Sequence, residues 1–367
     1  MSIDFDKTKA DSACIPMRTV GPIKIIDSTA STFESYVPMA TFEAPLWYSS
    51  QRGSKACNLA GGIRTVLISD FMTRSVVVEV DQISDLLKLK DSLLGQYSLL
   101  EQLVAATGRF VSLKGIDFRF IGRLAYIRIS MTTAGASGHN MTTIAAEAVL
   151  DWVIKNHKYA KYVSISGNYC TDKKASAVNS ILGRGKYVVA EACISASICR
   201  DVLKTSPQAI VDLNNKKNLI GSIAAGSLAS ANAHYANMLL AIYLATGQDA
   251  ANIVEGSQGI TCASLDTAGD GLVFSVTLPN LIVGVVGNGK HIPFVEKNLD
   301  IMGCLHKEGD ELGAKSRRLA EIIAAAVLCG ELSLMAAQTN PGELTKSHIR
   351  IERNAKLYGN CGYENRD

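Results

Sequence analysis

The sequence carries no CxxC pair, no run of lysines and arginines, no Pro/Gly-rich tether between segments and no internal repeat. Each absence removes a class of protein. Nine cysteines, at positions 14, 57, 170, 193, 199, 262, 304, 329 and 361, are too sparse in 367 residues for a disulfide scaffold, so reduced thiols in a cytoplasmic protein without a metal site are expected. A net charge of only +3 with no basic cluster argues against nucleic acid as the main ligand, while scattered cations remain compatible with a phosphorylated cofactor. The opening residues, MSIDFDKTKADSAC, are polar and acidic where a signal peptide needs an apolar core, so export is not expected. The most apolar stretch, Gly221 to Gly247, has Asn232, His234 and Asn237 in its middle, which a lipid-facing helix rarely tolerates. It reads as a buried helix, and no membrane partner is expected.

What is present is a large core: 47% of 367 residues are hydrophobic, enough for two or so domains. From 75 to 165 the hydrophobic period switches between strand-like runs (SVVVEV, FVSLKGIDFRFIG, LAYIRISM, YVSIS) and two helical stretches, around 81 to 104 and 139 to 157. That order suggests a split βαβ, ferredoxin-like unit. On either side the chain changes character, with Ala-rich helical segments at 218 to 246 and 316 to 338 and a Gly-punctuated strand region, GLVFSVTLPNLIVGVVGNGK. The expected fold is α+β: a large mixed helical and sheet domain from residues 1–77 and 166–367, with a small ferredoxin-like domain, 78–165, inserted into it.

Candidate chemistry lies in four separated places. SGNYCTDKK, from Ser166, crowds Asp172, Lys173 and Lys174 into a polar turn between apolar segments, a cost in stability unless an anion or a developing negative charge uses the ammonium groups. Glu43 in PMATFEAPLWYSSQRGSK has apolar and small neighbours that would favour a protonated acid. Asp249 in ATGQDAAN follows an apolar segment, where capping of the next helix is a strong competing role. His348 in LTKSHIRIERN is a lone histidine, a type more often structural than catalytic. Singly, each residue is better explained as a surface, capping or structural group.

Together, and in this order, they resemble hydroxymethylglutaryl-CoA reductase. The resemblance runs from about Ile15 to Arg353 and is most specific at SGNYCTDKK, NLIGSIAAGSLASANAHYAN, ATGQDAAN and GELSLMAAQ, which are nearer to the eukaryotic and archaeal class I type than to the degradative bacterial type. It implies a four-electron reduction of an acyl-CoA thioester to an alcohol by two hydride transfers, making mevalonate for isoprenoid synthesis. Lys173 would stabilise the oxyanion, Glu43 would supply a proton, Asp249 would bond both, and His348 would protonate the departing CoA thiolate. Ser166, Asp172, Lys174, Lys217, His234, Asn237 and Ser347 are implied to hold the hydroxymethylglutaryl end. His234 and Asn237, three apart, would share one face of a helix.

No GxGxxG follows the first strand, so the Rossmann fingerprint is missing. The resemblance instead assigns the small domain as the dinucleotide-binding unit. GASGHNM at 135–141 stands where the family has DAMGMNM, and GVVGNGK at 284–290 where it has GTVGGGT; Gly138, Asn140, Met141, Gly287 and Gly289 are the implied contacts. Arg109 and Phe110 in TGRF match a family pair near the adenosine 2′-phosphate, which favours NADPH and leaves NADH open. Gly135, Ser137, His139, Asn288 and Lys290 depart from the two motifs. The family's sites form between subunits, so a homodimer or tetramer is implied. A divergent acyl-CoA reductase with a changed substrate or cofactor, and a non-catalytic CoA-ester-binding homologue, are the alternatives.

Overall fold

The computed structural model describes residues 13–352. The chain opens with an antiparallel pair, β1 (Met17–Ile26) and β2 (Thr32–Ala40), followed by α1 (Pro45–Leu59), whose first turn is set by Pro45. Strand β3 (Ile63–Val80) is 18 residues long and belongs to two groups of strands. After it come α2 (Asp85–Gly95), α3 (Tyr97–Ala106), β4 (Ser112–Ile121), β5 (Leu124–Thr132), α4 (His139–Asn156) and β6 (Ala160–Ser164). The chain continues through α5 (Ala177–Leu182), β7 (Gly185–Ile194), α6 (Tyr235–Ala245), β8 (Ile260–Leu265), β9 (Leu272–Leu281), α7 (Pro293–Ile301), α8 (Ala314–Gln338) and α9 (Glu343–Glu352).

One group of strands runs in the order β2-β1-β3-β7-β9-β8. Its part of β3, Arg64–Phe71, pairs antiparallel with β7, and exposed Val66 and Ile68 alternate with core-facing Ile63 and Thr65. Beyond Phe71 the same strand pairs with β5, and from Val77 with β6 on its other edge, giving a second antiparallel order, β6-β3-β5-β4. Residues Ser75–Val78 are all buried, because Val76 and Val78 pack into a helix-covered core while the Gly167 segment lies against Val77 on the opposite face. A register shift between Leu67 and Ser69 changes the core-facing set from odd to even positions, so that Val76, Val78 and Val80 point into a second core. That core lies between β3–β5 and α2–α4, while the larger one surrounds α8. Helix α8 is long and apolar enough to cross a membrane, but its most apolar window is 89% buried inside the fold, which makes it the central core helix.

Two expected helices are divided. The stretch from 81 to 104 breaks at Gln96 into α2 and α3. The Ala-rich segment from 218 to 246 is not one helix: a π-helical turn, Asn214–Gly221, and a short α-helical turn, Ser222–Ala224, lead into irregular chain, and α6 begins only at Tyr235. Gly226 (φ 71°) and Ala229 (φ 47°) are left-handed, a conformation that no right-handed helix contains. Glu331 of α8, fully buried, accepts the N–H groups of Ala233 and His234, and Asn232 accepts that of Tyr235 at 3.2 Å. His234 is therefore the cap preceding α6, and Asn237 lies in its first turn; only the latter is within the helix, though the two line one cleft.

Candidate active site

The loop from β6 to α5 places Thr171 (φ 47°) and Lys173 (φ 55°) in the left-handed region, which costs on the order of 1 kcal/mol each. Contacts from one distant segment hold that shape. The Lys173 N–H donates to Glu255 Oε1 at 3.1 Å, the Ser176 N–H to Gln258 Oε1 at 3.1 Å, and Gln258 Nε2 returns a bond to the Ser176 carbonyl at 3.2 Å. Glu255 is fully buried and also accepts from Asn252 Nδ2 at 2.9 Å and Arg184 Nη1 at 3.0 Å. Burial pushes its carboxyl pKa up against these donors. Arg184, 1% exposed, also reaches Asp172 Oδ1 at 2.8 Å. His139 Nε2 approaches the same oxygen at 3.5 Å, without a directed hydrogen bond. Burial works against the Asp172 carboxylate, but His139 and Arg184 override it and hold the carboxyl well below the usual range.

The Lys173 side chain leaves this buried base and pairs with Asp249 Oδ2 at 2.7 Å. Its partner's carboxylate raises the ammonium pKa. Burial opposes ionisation of Asp249, yet Lys173 and the Ala251 N–H lower its pKa. Asp249 caps the short turn Ala250–Asn252 through the Ala251 N–H, at 3.1 Å, and faces the lysine, but within this chain it does not make the expected bond to Glu43, which lines another cleft. Lys173, Asp249, Asp172 and His139 line a cleft of about 800 Å³ whose other wall is the start of α4 and the Val286–Lys290 loop.

Glu43 lies elsewhere. Its Oε2 accepts from Asn237 Nδ2 at 3.0 Å, and the two residues line a separate cleft with Tyr48, Arg52, His234 and Ser347. The two clefts share no lining residue. Ser166, Lys174 and Lys217 line neither: Ser166 follows β6, Lys174 donates to the Asp172 carbonyl at 3.0 Å, and Lys217 donates to Asn218 Oδ1 at 3.0 Å, with its pKa lowered by burial. His348 falls on α9, but its side chain lies outside the described residues.

The two glycine-bearing segments meet. Gly138 precedes α4 at φ 91°, where a Cβ would strike the Thr133 side chain. No side chain caps α4 and no acid occupies its first turn, so its leading N–H groups face the cleft without a side-chain partner. Gly284 packs so closely that a Cβ would come within 2.4 Å of Ser137 N, and the Val285 N–H donates to the Gly135 carbonyl at 2.8 Å. One glycine of GVVGNGK thus serves contact between the segments; Gly287 and Gly289, both left-handed, face open space. Asn140, Met141 and Gly287 line the Lys173 cleft, while Phe110, with Arg109 stacked at 5.2 Å, lines a smaller apolar cavity beside Met141. Arg184 and Glu255, which hold the Asp172–Lys173 loop, do not stand out in the sequence; Arg184 in GRGK is the available signal.

The family model described as Hydroxymethylglutaryl-coenzyme A reductase matches residues 12–353. A 3-hydroxy-3-methylglutaryl-coenzyme A reductase 2 of Dictyostelium discoideum is 42% identical over 360 residues, covering 95% of this chain and 67% of the relative. The corresponding reductase of Aeropyrum pernix is 42% identical over 340 residues, covering 92% and 79%. A solved class II 3-hydroxy-3-methylglutaryl-CoA reductase from Streptococcus pneumoniae, bound to NADPH in open conformations, superposes with a TM-score of 0.71 at 19% identity over 91% of this chain and 87% of that one, a likeness of fold. Because the family match spans both clefts, the ion pair at Lys173 and the strands that carry it, this chain belongs to the hydroxymethylglutaryl-coenzyme A reductase family.

Proposed function

We propose that this chain reduces 3-hydroxy-3-methylglutaryl-CoA to mevalonate and CoA in the mevalonate pathway, with two NADPH and two protons consumed per thioester. The observation that carries this reading is the Lys173–Asp249 pair at 2.7 Å, facing the uncapped start of α4 across one cleft. Free N–H groups at a helix N-terminus suit a pyrophosphate, so Gly138, Asn140, Met141, Gly287 and Gly289 would hold the dinucleotide, with Arg109 and Phe110 toward its adenosine end. The cofactor supplies hydride to the carbonyl carbon. Lys173 donates to the oxygen that becomes anionic, first on the thioester and then on the aldehyde. Asp249 keeps that lysine charged. Glu43 delivers the proton to the reduced carbonyl oxygen, and His348 protonates the sulfur released when the first adduct collapses. Ser166, Asp172, Lys174, Lys217, His234, Asn237 and Ser347 bind the hydroxymethylglutaryl end.

This assignment needs two copies of the chain. Glu43, His234 and Asn237 line one cleft, and Lys173 and Asp249 another. We read these as two halves of a site closed across a subunit boundary in a dimer or tetramer. The identities to eukaryotic and archaeal relatives favour a class I type in a cytoplasmic setting. Residues 78–165 form an inserted small domain of ferredoxin-like type, supported by the order β6-β3-β5-β4, and residues 1–77 and 166–367 the large domain. The test is reduction of hydroxymethylglutaryl-CoA followed at 340 nm together with thiol release. About two cofactors oxidised per thiol freed support the full reaction, since each hydride carries two electrons. Oxidation without thiol would overturn it.

A further inference from the structure

The segment that carries Asp249 is fastened to the Gly284–Lys290 segment at three independent points. Gln248 makes a reciprocal pair with Gly284: its Nε2 donates to the Gly284 carbonyl at 3.0 Å and its Oε1 accepts the Gly284 N–H at 2.9 Å. The Gly247 backbone comes so near this segment that a Cβ there would meet the Val295 side chain at 3.0 Å and the Gly289 carbonyl at 3.4 Å. Lys290 Nζ donates to the Thr246 carbonyl at 2.9 Å and to that of Gly247. These two carbonyls follow the end of α6 at Ala245, where an ammonium also answers the negative end of the helix. Asp249 is only two residues further on, and nothing but Gln248 separates it from this clamp.

We propose that Lys290 is a positioning residue for the reduction, clamping the Thr246–Gly247 turn so that Asp249 stays against Lys173. The proposal rests on the catalytic reading of that pair given above. On its other side Asp249 is tied to the next turn, its carboxylate accepting the Ala251 N–H and its carbonyl the Asn252 N–H, both at 3.1 Å. Without the clamp, only Gln248 would tie the α6 side of Asp249 to the Gly284–Lys290 segment, and the half-exposed pair would be freer to part into solvent. The other titratable groups lining the cleft are Arg74, His139, Asp172, Lys173 and Asp249; the two carboxylates are engaged by Arg184 and by Lys173, and neither pairs with Lys290. Burial also draws the Lys290 pKa down to about 7, the state of a lysine held inside a turn with no carboxylate partner. Because the same segment lines the cleft with Gly287 and Asn288, the clamp joins the expected cofactor wall to the residue that keeps Lys173 charged.

The test compares the wild-type oligomer with Lys290→Met, which keeps the bulk and removes the donors. Lys173 is probed directly by the pH dependence of its acetylation, read by peptide mass spectrometry, and kcat is measured in parallel. The midpoint for Lys173 modification should fall by about one pH unit, since an opposite charge at contact accounts for a shift of that size. The alkaline limb of kcat should move down with it, and kcat should fall roughly tenfold with a much smaller change in KM. Should Lys290→Met be too unstable to purify, Lys290→Gln, which retains an amide donor, is expected to show the same shift in smaller measure. An unchanged Lys173 midpoint in a folded variant overturns the proposal, even if thermal stability drops. Absence of turnover in the wild type would instead remove the reductase reading, and the acetylation midpoint still decides whether Lys290 holds the pair.

Discussion

The Glu255 carboxylate and the Lys173 backbone, 82 positions apart, meet at 3.1 Å, so a fully buried acid fixes the backbone from which the Lys173 ammonium projects. Glu255 also neutralises Arg184, itself 1% exposed. Replacing Glu255 by Gln leaves that guanidinium with Asp172 alone and should destabilise the fold by about 3 kcal/mol, the scale of a broken buried pair. Chemical denaturation measures the loss. An unaltered midpoint would show that Asp172 suffices for Arg184.

Lys173→Ala should behave in the opposite way. Its ion pair with Asp249 is about two-fifths exposed, so its contribution to stability is at most about 1 kcal/mol. Removal of an electrostatic stabiliser at the reacting oxygen should lower kcat by roughly a hundredfold or more. Near-normal turnover in the folded variant would take Lys173 out of the mechanism.

The separation of Glu43 from Lys173 within one chain gives a complementation test. Glu43→Ala and Lys173→Ala should each be inactive alone. Mixed under conditions where subunits exchange, about a quarter of the sites should contain both intact residues if exchange is random and each site draws one half from each subunit. Exchange seen by mass-tagged chains with no recovered activity would refute a shared site.

A pH-dependent effect is expected far from the site, at Glu321 of α8, whose carboxyl burial and nearby Asp27 push up to about 7. Unfolded, it titrates near 4.3. A folded pKa above the unfolded one means that its contribution is complete below about pH 4.3 and is lost as pH rises through about 7, because the folded state binds the extra proton. Glu321→Gln has no such proton, so its stability relative to the parent should rise across that window by on the order of 1–2 kcal/mol after allowance for partial exposure. Parallel pH–stability curves for the two proteins would contradict the shift.

The alternating runs of β3–β6 were legible because strand and helix periods differ sharply there, and α8 was legible from sustained alanine and leucine. The break at 225–234 was not, since its cause, the Glu331 carboxylate, sits about a hundred positions away and competes for the backbone N–H groups that a longer helix would have used. The local residues alone read as helix. The same holds for the site. Lys173 and Asp249 stand out in conspicuous surroundings, but Glu255 looks like any glutamate in a short helix until Arg184 and the Lys173 N–H converge on it. Lys290 appeared only as an interruption of a glycine motif, whereas its bonds to the carbonyls after α6 depend on a fold that brings residues 246 and 290 together.

Strand β3 has a mechanical consequence. Its first half is a rung of one sheet and its second half a rung of the other, so the parts of the molecule that carry α4 and α8 share a continuous shaft rather than a hinge. It also locks the two cores in phase. A one-residue slip upstream of the irregularity at Leu67/Ser69 would turn Ile63 and Thr65 outward; the same slip downstream would expel Val76, Val78 and Val80 from the second core. The extra residue at that irregularity is therefore the gear tooth that sets both halves, and deleting it would misalign one core whichever way the strand settled.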